Sequence, residues 1–208
     1  MALTIFTIGH SNHEILHFVK LLQQNQIDIL IDTRSSPYSK YAAQFNKDVL
    51  EAVAVRSGFK YLFLGDSLGG RPAGAEFYDE QGYVRYDRIA ESGSFKQAIQ
   101  RLIDKASRSR ITLLCSEEDP THCHRRRLVG RVLLERGVQL QHIRGDGSIQ
   151  DESQLPPDPG LSTNSQLALF GEEPIAWRST QSVLAKKPPS NSSDPSRPPE
   201  FADSSTCD

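Results

Sequence analysis

Between residues 3 and 143, short β-prone runs alternate with longer amphipathic ones, and this rhythm restricts the fold more than any other feature of the chain. Runs at residues 3–8, 28–32, 60–64, 110–115 and 138–143 are rich in Ile, Leu, Val and Phe and short enough for strands. Helical spacing of apolar residues marks 13–24, 47–57, 95–107 and 122–136, with Asn12 and Ser94 as candidate caps and Gly137 as a stop. Five strands alternating with four helices predict an α/β fold. A mostly parallel sheet, joined by right-handed crossovers and covered on both faces, makes a three-layer sandwich. Residues 65–93 interrupt the rhythm with Gly, Tyr, charge and Pro72, and a loop that long is usually functional or disordered.

From Asp151 onward the composition changes to Pro, Ser, Asp and Lys, too little apolar surface to offset chain entropy. Residues 1–150 are therefore expected to form the domain and 151–208 a disordered tail. This division also accounts for the low hydrophobic content, 37% over 208 residues. A formal charge of -2 excludes a generally basic nucleic-acid coat but permits a local basic patch. There is no apolar run of about 18 residues and no charged-then-apolar leader, so neither a membrane span nor a secretory signal is expected. Three cysteines, one of them penultimate, do not make a disulfide framework, and a reducing, cytoplasmic location is expected.

In open parallel sheets ligands bind beyond the carboxyl ends of the strands. Here those ends deliver Gly9-His10-Ser11-Asn12, Asp32-Thr33-Arg34-Ser35, Gly65-Asp66 and Cys115-Ser116-Glu117 to one edge. Asn12, Ser35 and Asp66 are ordinary cap and turn types. The convergence of His10, Asp32, Arg34, Cys115 and Glu117 on one rim is harder to explain by turns alone. After the fourth strand, Pro120 leads into a helix expected to start near Thr121 or His122, with Arg125, Arg126 and Arg127 in its first turn. Cations are unfavourable at the positive end of a helix dipole, so a negative partner is required. Either Glu117, Glu118 and Asp119 or a bound anion would supply it.

Cys115, Cys123, His122 and His124 carry zinc-ligand types. However, Cys115 and Cys123 are eight apart, and three adjacent residues on a helix project in different directions, so zinc is set aside and no cofactor is expected. Cys115 can instead be a nucleophile, its thiol pKa lowered by Arg125 and the helix start with His10 or His124 as base, or a small buried hydrophobe.

The ordered set Thr7-Ile8-Gly9-His10-Ser11, Asp32-Thr33-Arg34-Ser35-Ser36-Pro37 and Cys115-Ser116-Glu117 with Cys123-His124-Arg125 resembles the DUF488 family of bacterial and archaeal proteins, over roughly residues 3–147. That resemblance implies a domain boundary near 150 and draws attention to the motif residues, but implies no reaction. Within the tail, Gln166-Leu167-Ala168-Leu169-Phe170 looks like the pentapeptide by which bacterial replication and repair proteins dock on the sliding clamp. Gln166 would hydrogen-bond at a groove edge while Leu167, Leu169 and Phe170 fill an apolar pocket.

Three functions fit these observations. The preferred one is a DNA-processing or repair-associated protein held at the sliding clamp, binding a phosphate-bearing or flipped nucleotide of DNA through Arg34, Arg71, His124 and Arg125. Asp32, Glu117 and His10 would then supply acid-base chemistry. The others are a small-molecule enzyme using Cys115 and a non-catalytic nucleotide-binding adaptor.

Overall fold

The structure is a computed structural model and describes residues 3–158 and 177–183. Its centre is a six-stranded sheet in the order β3 (Lys60–Phe63), β2 (Ile29–Asp32), β5 (Ile111–Cys115), β1 (Thr4–Gly9), β6 (Gln139–Ile143) and β7 (Ile149–Asp151). The first five run parallel, whereas β7 lies antiparallel on β6. Successive side chains of a strand point to opposite faces, and the core divides accordingly. Ile5, Ile31 and Leu113 join one apolar cluster, while their neighbours Phe6, Leu30 and Leu114 join the other. Strands buried on both faces read as continuous apolar runs, which is why β2 and β5 show no polar alternation.

α1 (Ile15–Gln24) and α2 (Lys47–Arg56) cover the second face through Phe18, Leu22 and Leu50. The first is covered by α3 (Gly65–Leu68), α4 (Tyr86–Glu91), α5 (Gly93–Ala106) and α6 (Arg131–Glu135), with Phe95, Ile99, Leu102 and Leu133 fully buried. The three-layer α/β architecture is thus the one the periodicity predicts. Capping differs in detail. Ser92, rather than Ser94, accepts the Phe95 amide at the start of α5, and α1 begins at Ile15 after Glu14, without a side-chain cap from Asn12. Among the described residues, no helix is long and apolar enough to cross a membrane.

Two regions depart from the expected plan. The excursion at 65–93 contains α3, α4 and β4 (Tyr83–Arg85), and β4 pairs antiparallel with β8 (Arg178–Ser182) from the chain's C-terminal part. The domain also takes in residues 151–158 and 177–183, which composition assigns to a tail. The cause is anchoring by a few residues that a window average dilutes. Trp177 donates its indole N–H to the Arg127 carbonyl (2.7 Å), lies edge-on to Tyr86 and sits under the Arg131 guanidinium at 4.2 Å. Arg178 adds an ion pair with Asp79 at 2.8 Å.

The segment expected to be one helix from residue 122 is built differently. Pro120–His122 is a 3-10 turn, Cys123 is extended (φ -110°, ψ 140°), and a π-helical stretch, Arg125–Gly130, precedes α6. The wider π turn sits next to the strand-end rim, a common position for such segments.

Candidate functional site

At the carboxyl edge of the parallel strands lies a cleft of about 440 Å³. Arg34, Ser35, Ser36, Cys115, Ser116 and Glu117 line it from the strand ends. Gly70, Arg71, Tyr86, His122 and His124 line it from the loops and helices, and Ser179, Thr180 and Gln181 from β8. A second cavity of about 320 Å³ shares Arg34, Ser36 and Ser116 with it and adds His10, Tyr38 and Tyr41.

Asp32 and Arg34 form the rigid part of the rim. The Arg34 guanidinium donates from Nε to Asp32 Oδ1 (2.9 Å) and from Nη2 to Oδ2 (2.6 Å), and Nη2 also reaches the Phe45 carbonyl. Asp32 further accepts the Tyr61 hydroxyl at 2.7 Å and the Arg34 amide at 3.1 Å. Burial, with the Asp32 charge beside it, raises the Tyr61 phenol well above its ordinary value. His10 completes this network. Its Nδ1–H donates to the Ser11 carbonyl (2.8 Å), its Nε2 accepts from Arg34 Nη1 (3.1 Å), and its ring stacks on Phe45. Burial, reinforced by the Arg34 charge, lowers its pKa to about 4, so the ring is neutral near pH 7. His10, Asp32 and most of Arg34's donors are therefore engaged within the protein.

The triple arginine is likewise engaged. Arg125, 1% exposed, donates to the carbonyls of Glu117 and Glu118 and to Thr7 Oγ1, and it does not line the cleft. Arg126 pairs with Glu152 at 2.7 Å and Arg127 with Asp158 at 3.2 Å. The required negative partners are thus internal carbonyls and two acids from residues 151–158, rather than a ligand at a helix start. Among the described residues that line the cleft, Arg71 is the cation outside these pairs. It is exposed, and no partner holds its guanidinium among the described residues.

Cys115, Cys123, His124 and Glu117 form a second polar cluster. The Cys115 thiol lies 2.8 Å from Glu117 Oε2 and 3.4 Å from His124 Nδ1; the Cys123 sulfur lies 3.2 Å and 4.0 Å from the same atoms. His124 Nε2 faces the Thr33 carbonyl at 3.0 Å. A carbonyl only accepts, so Nε2 carries hydrogen and, in the neutral ring, Nδ1 offers its lone pair to the sulfurs. Two close approaches hold the cluster in place. A Cβ on Gly9 would stand 1.8 Å from the Glu117 carbonyl oxygen, and one on Gly70 2.7 Å from the His124 ring.

Electrostatics separate the two thiols. Burial, with the neighbouring Cys123 and Glu117, pushes the Cys115 thiol up. Burial would also raise Cys123, but the Cys115 hydrogen bond, the Arg125 charge and His124 outweigh it and bring Cys123 down. For Glu117, part of whose side chain reaches solvent, burial is outweighed by hydrogen bonds from Cys115, its own amide and Cys123, so the carboxyl is held below its usual range. Burial opposes charge on His124 as well; the Cys123 sulfur and Glu117 overcome it and raise the imidazole. As a potential metal-ligand set the group is soft: Cys115, Cys123 and His124 each present one ligand atom, all within 4.8 Å of one another. The helix geometry used to set zinc aside does not occur, because extended Cys123 turns its sulfur toward the side chain of His124.

The family model described as a domain of unknown function, DUF488, matches residues 14–132, more than half of the chain. The chain belongs to the DUF488 family. The matched span of this DUF488 protein includes Asp32, Arg34, Arg71, Cys115, Glu117, Cys123, His124 and Arg125, while β1 and His10 precede it. No curated protein and no solved structure matches the chain.

Sequence reasoning found His10, Asp32, Arg34, Arg71, Cys115, Glu117 and His124; the structure brings six of them to the lining of the two cavities and buries Asp32 behind Arg34. It missed Tyr38 and Tyr41, 57% and 84% exposed, whose signal is aromatic residues flanking Lys40 after Pro37. It also missed the β8 lining, which no local pattern announces. Gln166, Leu167, Leu169 and Phe170 lie outside the described residues.

Proposed function

We propose that this DUF488 protein binds a nucleotide unit, as part of a DNA strand, and catalyses a hydrolytic step on it. The observation that carries this reading is the pairing of two adjoining cavities. One holds the Cys115–Glu117–His124 group together with the available cation Arg71; the other is bordered by the exposed aromatic rings of Tyr38 and Tyr41. A cation suits a phosphate and exposed rings suit stacked bases, an arrangement typical of single-strand recognition. Glu117 is the acid-base group. Asp32 and His10, engaged with Arg34, are positioning residues that shape the rim. Cys115 is a poor free nucleophile, because the thiol that reaches the cleft is the one whose proton is held.

Fluorescence anisotropy with a short single-stranded oligonucleotide tests this. Tyr41→Ala and Arg71→Ala should each weaken binding, by about 1–3 kcal/mol for a stacked base. Arg71→Ala should also flatten the salt dependence. Both side chains are exposed, so the fold is retained, and affinities equal to the unaltered protein's would overturn the reading.

Delivery to DNA is the second part of the reading and rests on Gln166-Leu167-Ala168-Leu169-Phe170. Docking of this segment on a sliding clamp would raise the local concentration of the cleft at DNA without a basic domain surface. Retention of the chain on immobilised clamp should be lost in the Leu169→Ala, Phe170→Ala double variant; unchanged retention would sink it.

A further inference from the structure

We infer that Cys115, Cys123 and His124 form a zinc-class metal site with three protein ligands and a fourth position open to the cleft. The separations are those a metal needs. With sulfur at about 2.3 Å and nitrogen at about 2.0 Å from a tetrahedral zinc ion, neighbouring sulfur and nitrogen ligands stand about 3.6 Å apart. Cys115 Sγ and Cys123 Sγ lie 3.4 Å and 4.0 Å from His124 Nδ1, on either side of that value.

The surroundings are those of a metal centre. The Thr33 carbonyl takes the Nε2–H of His124 and leaves Nδ1 as the ligand atom, the outer-shell bond that metal-binding histidines ordinarily make. The backbone N–H of Arg125 points at Cys123 Sγ from 3.4 Å, where it would stabilise a coordinated thiolate. Two thiolates balance a divalent ion, so the loaded site adds no net charge to a buried region. Two sulfurs and an imidazole select zinc or a similar borderline ion over magnesium or calcium, which require oxygen ligands.

The open position follows from which groups face the cleft. Cys115, Glu117 and His124 line it, whereas Cys123 is sealed behind them, 1% exposed. Glu117 lies beside the ligands without joining the group of atoms that surround one another. Three ligands, an open position and an adjacent carboxylate are the parts of a hydrolytic zinc site. Water on the fourth position gives its proton to the Glu117 carboxylate, and the hydroxide attacks the ligand's electrophilic atom. The bond to the leaving group breaks, and the leaving group takes the proton from Glu117. The ligand set stands on its own geometry; its catalytic use rests on the nucleotide reading above.

The test is cobalt(II) and zinc titration of the full chain purified under reducing conditions and stripped of metal. Saturation at about one ion per chain is expected, with a thiolate-to-cobalt charge-transfer band and the intense visible bands of four-coordinate cobalt. Zinc should displace the cobalt and protect Cys115 from alkylation. Cys123→Ser and His124→Ala should lose the band, while Glu117→Gln should keep it. The unaltered chain decides the matter even where a variant unfolds. No cobalt band in it, or a Cys115–Cys123 disulfide in freshly isolated protein, would overturn the inference. Oligonucleotide binding measured on the same samples separates the two claims. Binding without metal uptake removes the metal site alone, and metal uptake without oligonucleotide binding removes the nucleotide reading alone.

Discussion

Arg34 and Asp32, two residues apart at the end of β2, form a two-point ion pair that is almost wholly sealed from solvent, 6% and 0% exposed. Such a pair contributes little net stability when intact, but losing one partner strands the other charge. Asp32→Ala should therefore lower unfolding stability by about 3–5 kcal/mol in urea titrations. The double change Asp32→Ala, Arg34→Met should recover part of that loss. A single variant as stable as the parent would show that the pair is not what positions the rim.

Gly9 and Gly93 predict opposite results for the same substitution. A methyl group on Gly9 meets the Glu117 carbonyl, whereas at Gly93, the first residue of α5, it meets nothing within 4 Å. Gly9→Ala should cost about 1–3 kcal/mol or more by overpacking. Gly93→Ala should stabilise by up to about 1 kcal/mol through the unfolded chain. Thermal unfolding of the two variants side by side checks both signs.

Acid should act on residues 151–158 through Glu152, which faces His142 Nε2 at 2.8 Å and accepts Arg126 Nε at 2.7 Å. Burial would raise this carboxyl, but the hydrogen bonds from His142 and Arg126 and their charges outweigh it and hold it below its ordinary 4.5. The folded state therefore resists a proton that the unfolded chain accepts. The associated stability is present above the ordinary value and is lost as pH falls through the lower folded one. Over that window, stability measured against pH should fall less steeply in Glu152→Gln than in the parent; parallel curves would contradict this.

Trp177 is the only tryptophan in the chain, so its emission reports the docking of β8. Its red shift in denaturant should coincide with loss of far-ultraviolet circular dichroism if β8 unfolds with the sheet. Trp177→Ala should cost about 2–3 kcal/mol, somewhat below the figure for a fully buried ring. It should also weaken ligand binding, because Ser179, Thr180 and Gln181 line the cleft. A fluorescence change well ahead of the dichroism would show that the strand detaches alone.

The sheet was legible because Ile29–Asp32 and Ile111–Cys115 repeat a local pattern that each strand carries by itself. The rim was legible by position, since strand ends in a parallel sheet share one edge. The use made of its residues was not. Whether Arg125 meets a ligand or the carbonyls of Glu117 and Glu118 depends on where a loop eight residues away returns, which spacing does not specify. The convergence of Cys123 on His124 depends on one extended residue between a 3-10 turn and a π turn. Helical geometry assumed across that junction sends the side chains apart. β8 was hidden for a similar reason: pairing with distant β4, one tryptophan and an ion pair from Arg178 secure it, amid a composition that argues for no structure.

Asp158 and Trp177 both bond to Arg127, one to its side chain and the other to its carbonyl. Arg127 therefore fastens two distant segments to the π turn through different atoms, so a change of its side chain removes the ion pair to Asp158 and leaves in place the backbone seat of Trp177, and with it the β8 lining of the cleft.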